Sequence, residues 1–112
     1  MGCEMRKEGD VLIVKVYGEL DLHAADFARR DIDIQIRAQG AKHIVFDLGE
    51  LTFIDSSGLG VILGRFRKIS ELGGRVAISG TPPNIQKVME ISGLPRLMPF
   101  FTDCVSALRE LG

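Results

Sequence analysis

A chain of 112 residues, 46% hydrophobic and 26% charged, has enough apolar surface to bury a core without a disulfide or a metal, and its composition is that of a globular domain. Its formal charge of −1, with Lys and Arg scattered along the sequence, leaves no basic face for a phosphate backbone, so nucleic acid is not expected as a direct partner. No apolar run approaches the ~20 residues that cross a bilayer, and the start lacks the basic-then-apolar pattern of an export signal, so the expected compartment is the cytoplasm, with no membrane partner.

The segment Cys3 to Lys7 alternates apolar and polar residues and reads as a short antiparallel edge strand. The turn Glu8-Gly9-Asp10 joins it to Val11 to Tyr17, whose dense Val, Leu and Ile content predicts a strand buried on most of its surface. After Gly18, Asp21 is a candidate cap, and Ala25, Ala28, Ile32 and Ile36 recur at helical spacing, which predicts a helix from about Leu22 to Gln39, closed by Gly40. Ile32 to Ile36 also alternates with period two; length and the Ala-rich flank favour the helix.

His43 to Leu48 is a second buried strand, followed by a helix from Ser56 to Leu72 with Leu59, Ile62, Leu63, Phe66 and Ile69 facing inward, stopped by Gly73-Gly74. Arg75 to Ser79 reads as a strand, and Thr81 as the capping hydroxyl of a helix that runs from the prolines to about Ser92. Pro99 to Phe101 suggests a short strand, with Thr102 or Asp103 capping a last helix to Leu111. Strands alternating with helices predict the α/β class: one domain over 1–112, with a mixed, mostly parallel sheet of four to five strands and about four helices. Functional loops are then expected at the carboxyl ends of the strands, at Gly18 to Asp21, Gly49 to Ser57 and Gly80 to Pro83.

Cys3 and Cys104 lie far apart in sequence, have no metal-ligand spacing and suit a reducing compartment as unpaired thiols; no metal and no cofactor is expected. The segment Phe53-Ile54-Asp55-Ser56-Ser57-Gly58-Leu59-Gly60 carries the most chemical information. A dinucleotide fingerprint fails there, because Leu63 holds the third glycine position and the next strand ends in Gly80 and Thr81 in place of an acidic residue. A serine hydrolase elbow needs glycines two residues to either side of the serine; around Ser56 these are Ile54 and Gly58, around Ser57 they are Asp55 and Leu59. The only candidate bases are His23 and His43, and His43 belongs at the start of its strand, remote from the far end where Ser56 sits. Two uses of Ser56 remain open on these grounds: capping the helix, or accepting a phosphate that the helix N-terminus would tolerate.

Gly18-Glu19-Leu20-Asp21, the strand His43 to Leu48, Phe53 to Ile69 (FIDSSGLGVILGRFRKI), the Gly73-Gly74 turn and Met89 to Leu94 together resemble the STAS-domain anti-sigma factor antagonists over nearly the whole chain. Among them the sporulation members are the most similar, although this chain has Leu22-His23 where those often carry two histidines. The resemblance implies a regulatory protein and not an enzyme: unphosphorylated, it binds an ATP/ADP-binding anti-sigma factor that is also a serine kinase, and so frees a sigma factor. It further implies phosphorylation at Ser56, reversal by a separate serine phosphatase, and a partner contact made by Asp21, Asp55, Ser56, Ser57, Gly58 and Leu59. The alternatives are a STAS interaction module of a stress-signalling or transporter complex and, behind it, a serine hydrolase.

Overall fold

Gly2–Glu8 (β1) and Val11–Leu20 (β2) form an antiparallel hairpin that turns at Gly9, whose φ of +58° suits a residue without a Cβ. The computed structural model, which describes residues 1–111, continues with Leu22–Gln39 (α1), His43–Asp47 (β3), Leu51–Ile54 (β4), Ser56–Glu71 (α2), Val76–Ser79 (β5), Pro83–Ile91 (α3), a 3₁₀ turn at Leu94–Arg96, Phe100–Phe101 (β6) and Cys104–Leu111 (α4). The sheet order is β1-β2-β3-β5-β6, and every pairing beyond the hairpin is parallel.

The mixed, mostly parallel α/β architecture holds, with six strands in place of the expected four to five. The additional strand is β4, inside the stretch Gly49 to Ser57 that the sequence presents as a loop. It pairs with the far end of β2, Gly18 opposite Leu51 and Leu20 opposite Ile54, with a register shift between Gly18 and Glu19. β2 therefore serves β3 with its first half and β4 with its second, and runs three residues beyond its expected end at Tyr17.

Helices lie on both faces of the sheet, which is why Val11 to Val14 are all buried in place of alternating. On one face α1, α2 and α3 cover Leu12, Val14, Leu20, Ile44, Phe46 and Ile78. On the other, α4 covers Val11, Ile13, Val45 and Ala77 with Ala107 and Leu111. Cys3 packs against the first cluster and Cys104 against the second, so the two free thiols stand on opposite faces. Burial pushes the Cys3 thiol up to about 11 and raises that of Cys104 as well.

Helix α1 occupies the predicted span, with Asp21 as its cap, Gly40 closing it at φ +62°, and Ala28 and Ile32 fully buried; the strand alternative at Ile32 to Ile36 is thereby excluded. Two local expectations are corrected. Helix α3 begins behind Pro82 with no side-chain cap, because the Thr81 hydroxyl is bonded to Gln86 Oε1. In α2 the stripe facing the core includes Arg65, 5% exposed, whose guanidinium lies between α1 and α2. Its Nε is 3.0 Å from Asp33 Oδ1, a Coulombic pair without good hydrogen-bond alignment, and Asp33 Oδ2 is 3.0 Å from Lys68 Nζ. Burial pulls the Arg65 guanidinium below its ordinary value, Asp33 pushes it up and Arg29 pulls it down again.

Candidate functional site

The carboxyl ends of β2 and β4 deliver two helix starts side by side. Asp21, extended at ψ −173°, ends β2 and caps α1 by accepting from the His23 and Ala24 amides at 3.0 and 3.1 Å. Asp55, with nearly the same backbone, does this for α2: its Oδ1 accepts from the Ser57 and Gly58 amides at 2.9 and 3.1 Å. Its second oxygen, Oδ2, accepts from the Leu22 amide at 3.1 Å and so joins the two helix starts. Of the two uses left open for Ser56, capping is thus taken by Asp55. Ser56 is the first residue of α2, and it is exposed.

Gly58 is what allows this approach. A Cβ there would lie 2.3 Å from the Leu20 carbonyl oxygen and 2.7 Å from Ile54 Cγ1, so α2 can begin against the end of β2 only without one. Gly60, two residues on, faces open space. Gly58→Ala should therefore destabilise the protein by about 2 kcal/mol through overpacking, whereas Gly60→Ala should stabilise it by up to ~1 kcal/mol through helix propensity. Urea unfolding of the two variants checks the contrast, and equal midpoints would contradict the close contact.

The six expected site residues do not all face the same way. Asp21 and Asp55 are half-buried with their carboxylates occupied by backbone amides, and of the six Ser56 alone is exposed. Ser57 lines a shallow groove between α1 and α2 with Ala25, Asp26 and Arg29. Gly58 is buried, and Leu59 packs partly on the core, so these two shape the loop from beneath. Three apolar side chains near the loop lie outside the sequence expectation: Leu22 at 68% exposure, Phe27 at 62% and Phe53 at 45%. Phe27 lines a groove with Glu19, Asp21 and His23, and Phe53 sits opposite Glu19 on the paired strand. Their signal was in the sequence, since Leu22 and Phe27 fall off the inward Ala25, Ala28, Ile32 stripe.

His43 lies at the start of β3, at the opposite end of the sheet, where its Nδ1 accepts from the Arg75 amide at 3.0 Å. Burial, then Lys42, lowers its basicity against a smaller opposing pull from Asp10. His23, at the first turn of α1, is exposed. The serine is thus at one end of the sheet and the half-buried histidine at the other. Among the described residues no cluster of His, Cys, Asp or Glu is arranged to hold a metal, and no helix is long and apolar enough to cross a membrane.

Comparison with known proteins places this arrangement among relatives. The family model of the STAS domain matches residues 3–107. The sequence is 44% identical over 108 residues to the anti-sigma F factor antagonist of Paenibacillus polymyxa, covering 96% of this chain and 92% of that one. The phosphorylated form of the Bacillus cell fate determinant SpoIIAA aligns with a TM-score of 0.77 at 28% identity, over 99% of this chain and 100% of that one. A Thermotoga maritima structure aligns at 0.91 with 24% identity, over 97% and 93%, a likeness of fold.

Proposed function

The chain belongs to the STAS-domain family, and we propose that within it this protein is an anti-sigma factor antagonist switched by phosphorylation at Ser56. The unphosphorylated form binds, in the cytoplasm, an anti-sigma factor that is a serine kinase, and so releases the sigma factor held by it. The observation that carries the reading is the placement of Ser56, an exposed hydroxyl at the first position of a helix whose capping is done by the preceding aspartate. The relatives support it: one is named an anti-sigma F factor antagonist, and another has been solved in a phosphorylated form.

In the transfer step the Ser56 Oγ forms a bond to the γ-phosphorus of ATP, the bond to the β–γ bridging oxygen breaks, ADP leaves, and the hydroxyl proton passes to a base of the kinase. The product is a dianion at a helix N-terminus, where the helix dipole accepts it without loss of the helix. A serine phosphatase, by hydrolysing the phosphoester, returns the binding form. Asp21, Asp55, Ser56 and Ser57 form the polar part of the contact, Gly58 and Leu59 support it, and the exposed Leu22 and Phe53 add an apolar rim.

Incubation with the cognate anti-sigma factor and ATP, followed by peptide mass mapping, tests the assignment. One phosphate on Ser56 is the expected result; phosphate on Ser57 or Ser79 would overturn it. Ser56→Ala should bind the partner persistently and melt within about 1 °C of wild type, since Asp55 and not Ser56 holds the cap. A melting temperature lowered by several degrees would return the capping role to Ser56.

A further inference from the structure

The backbone ladder between β2 and β4 runs out just where the two helices start. Leu20 still pairs with Ile54, but the next bond, from the Asp55 amide to the Leu20 carbonyl, has stretched to 3.5 Å. Beyond it, the Asp55 carboxylate bonds the Leu22 amide 33 positions away. That amide is one of the donors a helix start leaves unsatisfied, and Asp21 caps the two after it, His23 and Ala24. Capping α2 occupies only Asp55 Oδ1, so Oδ2 serves a different purpose: it fixes the start of α1 to the serine loop.

We propose that Asp55 is a positioning residue for the Ser56 switch, holding the serine loop and the α1 start in one docking face through its bond to the Leu22 amide. This rests on the reading of Ser56 as the phosphate acceptor. A charged carboxylate bonded to three amides in two elements is stiffer than two separately capped helices, because moving either start breaks a charge-assisted bond. The kinase therefore meets Ser56, Asp21 and the exposed Leu22 side chain already in register, and ordering them is no longer part of the work of binding.

Two substitutions remove this bond from opposite sides while leaving each helix capped. Asp55→Asn keeps an oxygen for the Ser57 and Gly58 amides but turns an NH₂ toward the Leu22 N–H. Leu22→Pro deletes that N–H at the first helical position, where proline's φ is tolerated, and Leu22→Ala controls for the lost side chain. Phosphorylation by the cognate anti-sigma factor with ATP is followed as a function of substrate concentration, with thermal melts alongside.

Leu22→Pro, which leaves the Asp55 carboxylate in place, should raise KM about tenfold while kcat stays within about twofold and the melting temperature is kept, and Asp55→Asn should raise KM at least as much. Leu22→Ala should raise KM less than Leu22→Pro. Wild-type chain phosphorylated on Ser56, with Leu22→Pro no higher in KM than Leu22→Ala, overturns the positioning role alone. Wild-type chain that accepts no phosphate on Ser56 overturns the proposed function and this role with it. Variants that lose kcat and melting temperature together with KM would make Asp55 a cap and nothing more.

Discussion

Ser56→Asp should lower affinity for the anti-sigma factor by about a hundredfold while the fold and melting temperature stay close to wild type. The site already holds two carboxylates, Asp21 and Asp55, and in the proposed complex an added charge at the first position of α2 would oppose the nucleotide phosphates held by the ATP/ADP-binding partner. Two unit charges 4 Å apart interact by roughly 4 kcal/mol at an effective dielectric of 20, and a hundredfold change in affinity needs only about 2.7 kcal/mol. The phosphate itself carries about −1.5 to −2 charges, enough with lost packing to approach the ~5.5 kcal/mol that moves a population from mostly bound to mostly free. Stability is spared because in the free protein Ser56 is exposed, where repulsion from Asp55 falls to about 1 kcal/mol, and an acidic side chain in the first turn gains about 0.3–1 kcal/mol from the helix dipole, which largely offsets it. Calorimetry with the purified partner, beside thermal melts, separates the two effects. Wild-type affinity in Ser56→Asp, or a loss of affinity explained by unfolding, would end the electrostatic account.

The largest effect on stability is expected away from the serine, at Asp33→Ala. Arg65 has a side chain only 6% exposed, and Asp33, itself 16% exposed, is its counter-charge across the α1–α2 interface. Removing the carboxylate leaves a buried guanidinium opposed by nothing but its bond to the Val61 carbonyl at 3.2 Å, and strands Lys68 beside it. Breaking one side of a buried pair costs about 3–5 kcal/mol, equivalent to roughly 12–20 °C in melting temperature for a chain of this length. The double change Asp33→Leu with Arg65→Met should restore most of that loss, since apolar packing replaces a buried ion pair at little or no cost. A double variant as unstable as Asp33→Ala alone would show that the pair is needed for a reason other than charge compensation.

The elements with a long period or a clear breaker were legible in the sequence. Helix α1 follows from one stripe and two caps, and β1 from alternation before Glu8-Gly9-Asp10. The loss of β4 has a physical cause: four residues, Leu51 to Ile54, are too few to show a period, and only pairing with β2 makes them a strand. The end of β2 was hidden in the same way, because Gly18 and Glu19 look like a turn until the register shift is seen. Arg65 escaped notice because an arginine reads as solvent-facing, although it stands three residues after Ile62 and four before Ile69 on the inward stripe; the decisive partner, Asp33, is on another helix. At the site, Asp55 and Ser56 were visible as residue types. That Asp55 caps in place of Ser56, and reaches Leu22, depends on a contact across 33 positions that no local pattern contains.

β4 is joined to the sheet through one neighbour, whereas β3 is held by β2 and β5 together. Detaching β4 and the turn into α2 breaks this short ladder, the Asn84 bond to the Thr52 carbonyl and the Leu22 amide bond to Asp55, and uncovers Leu51 and Ile54, while β1-β2-β3-β5-β6 remains continuous. Ser56 therefore follows a segment whose opening free energy is set locally, the bond from the Leu22 amide to Asp55 being one of the contacts that raise it. A kinase that acts on Ser56 would then meet a loop held by its own local contacts, whatever the stability of the rest of the sheet.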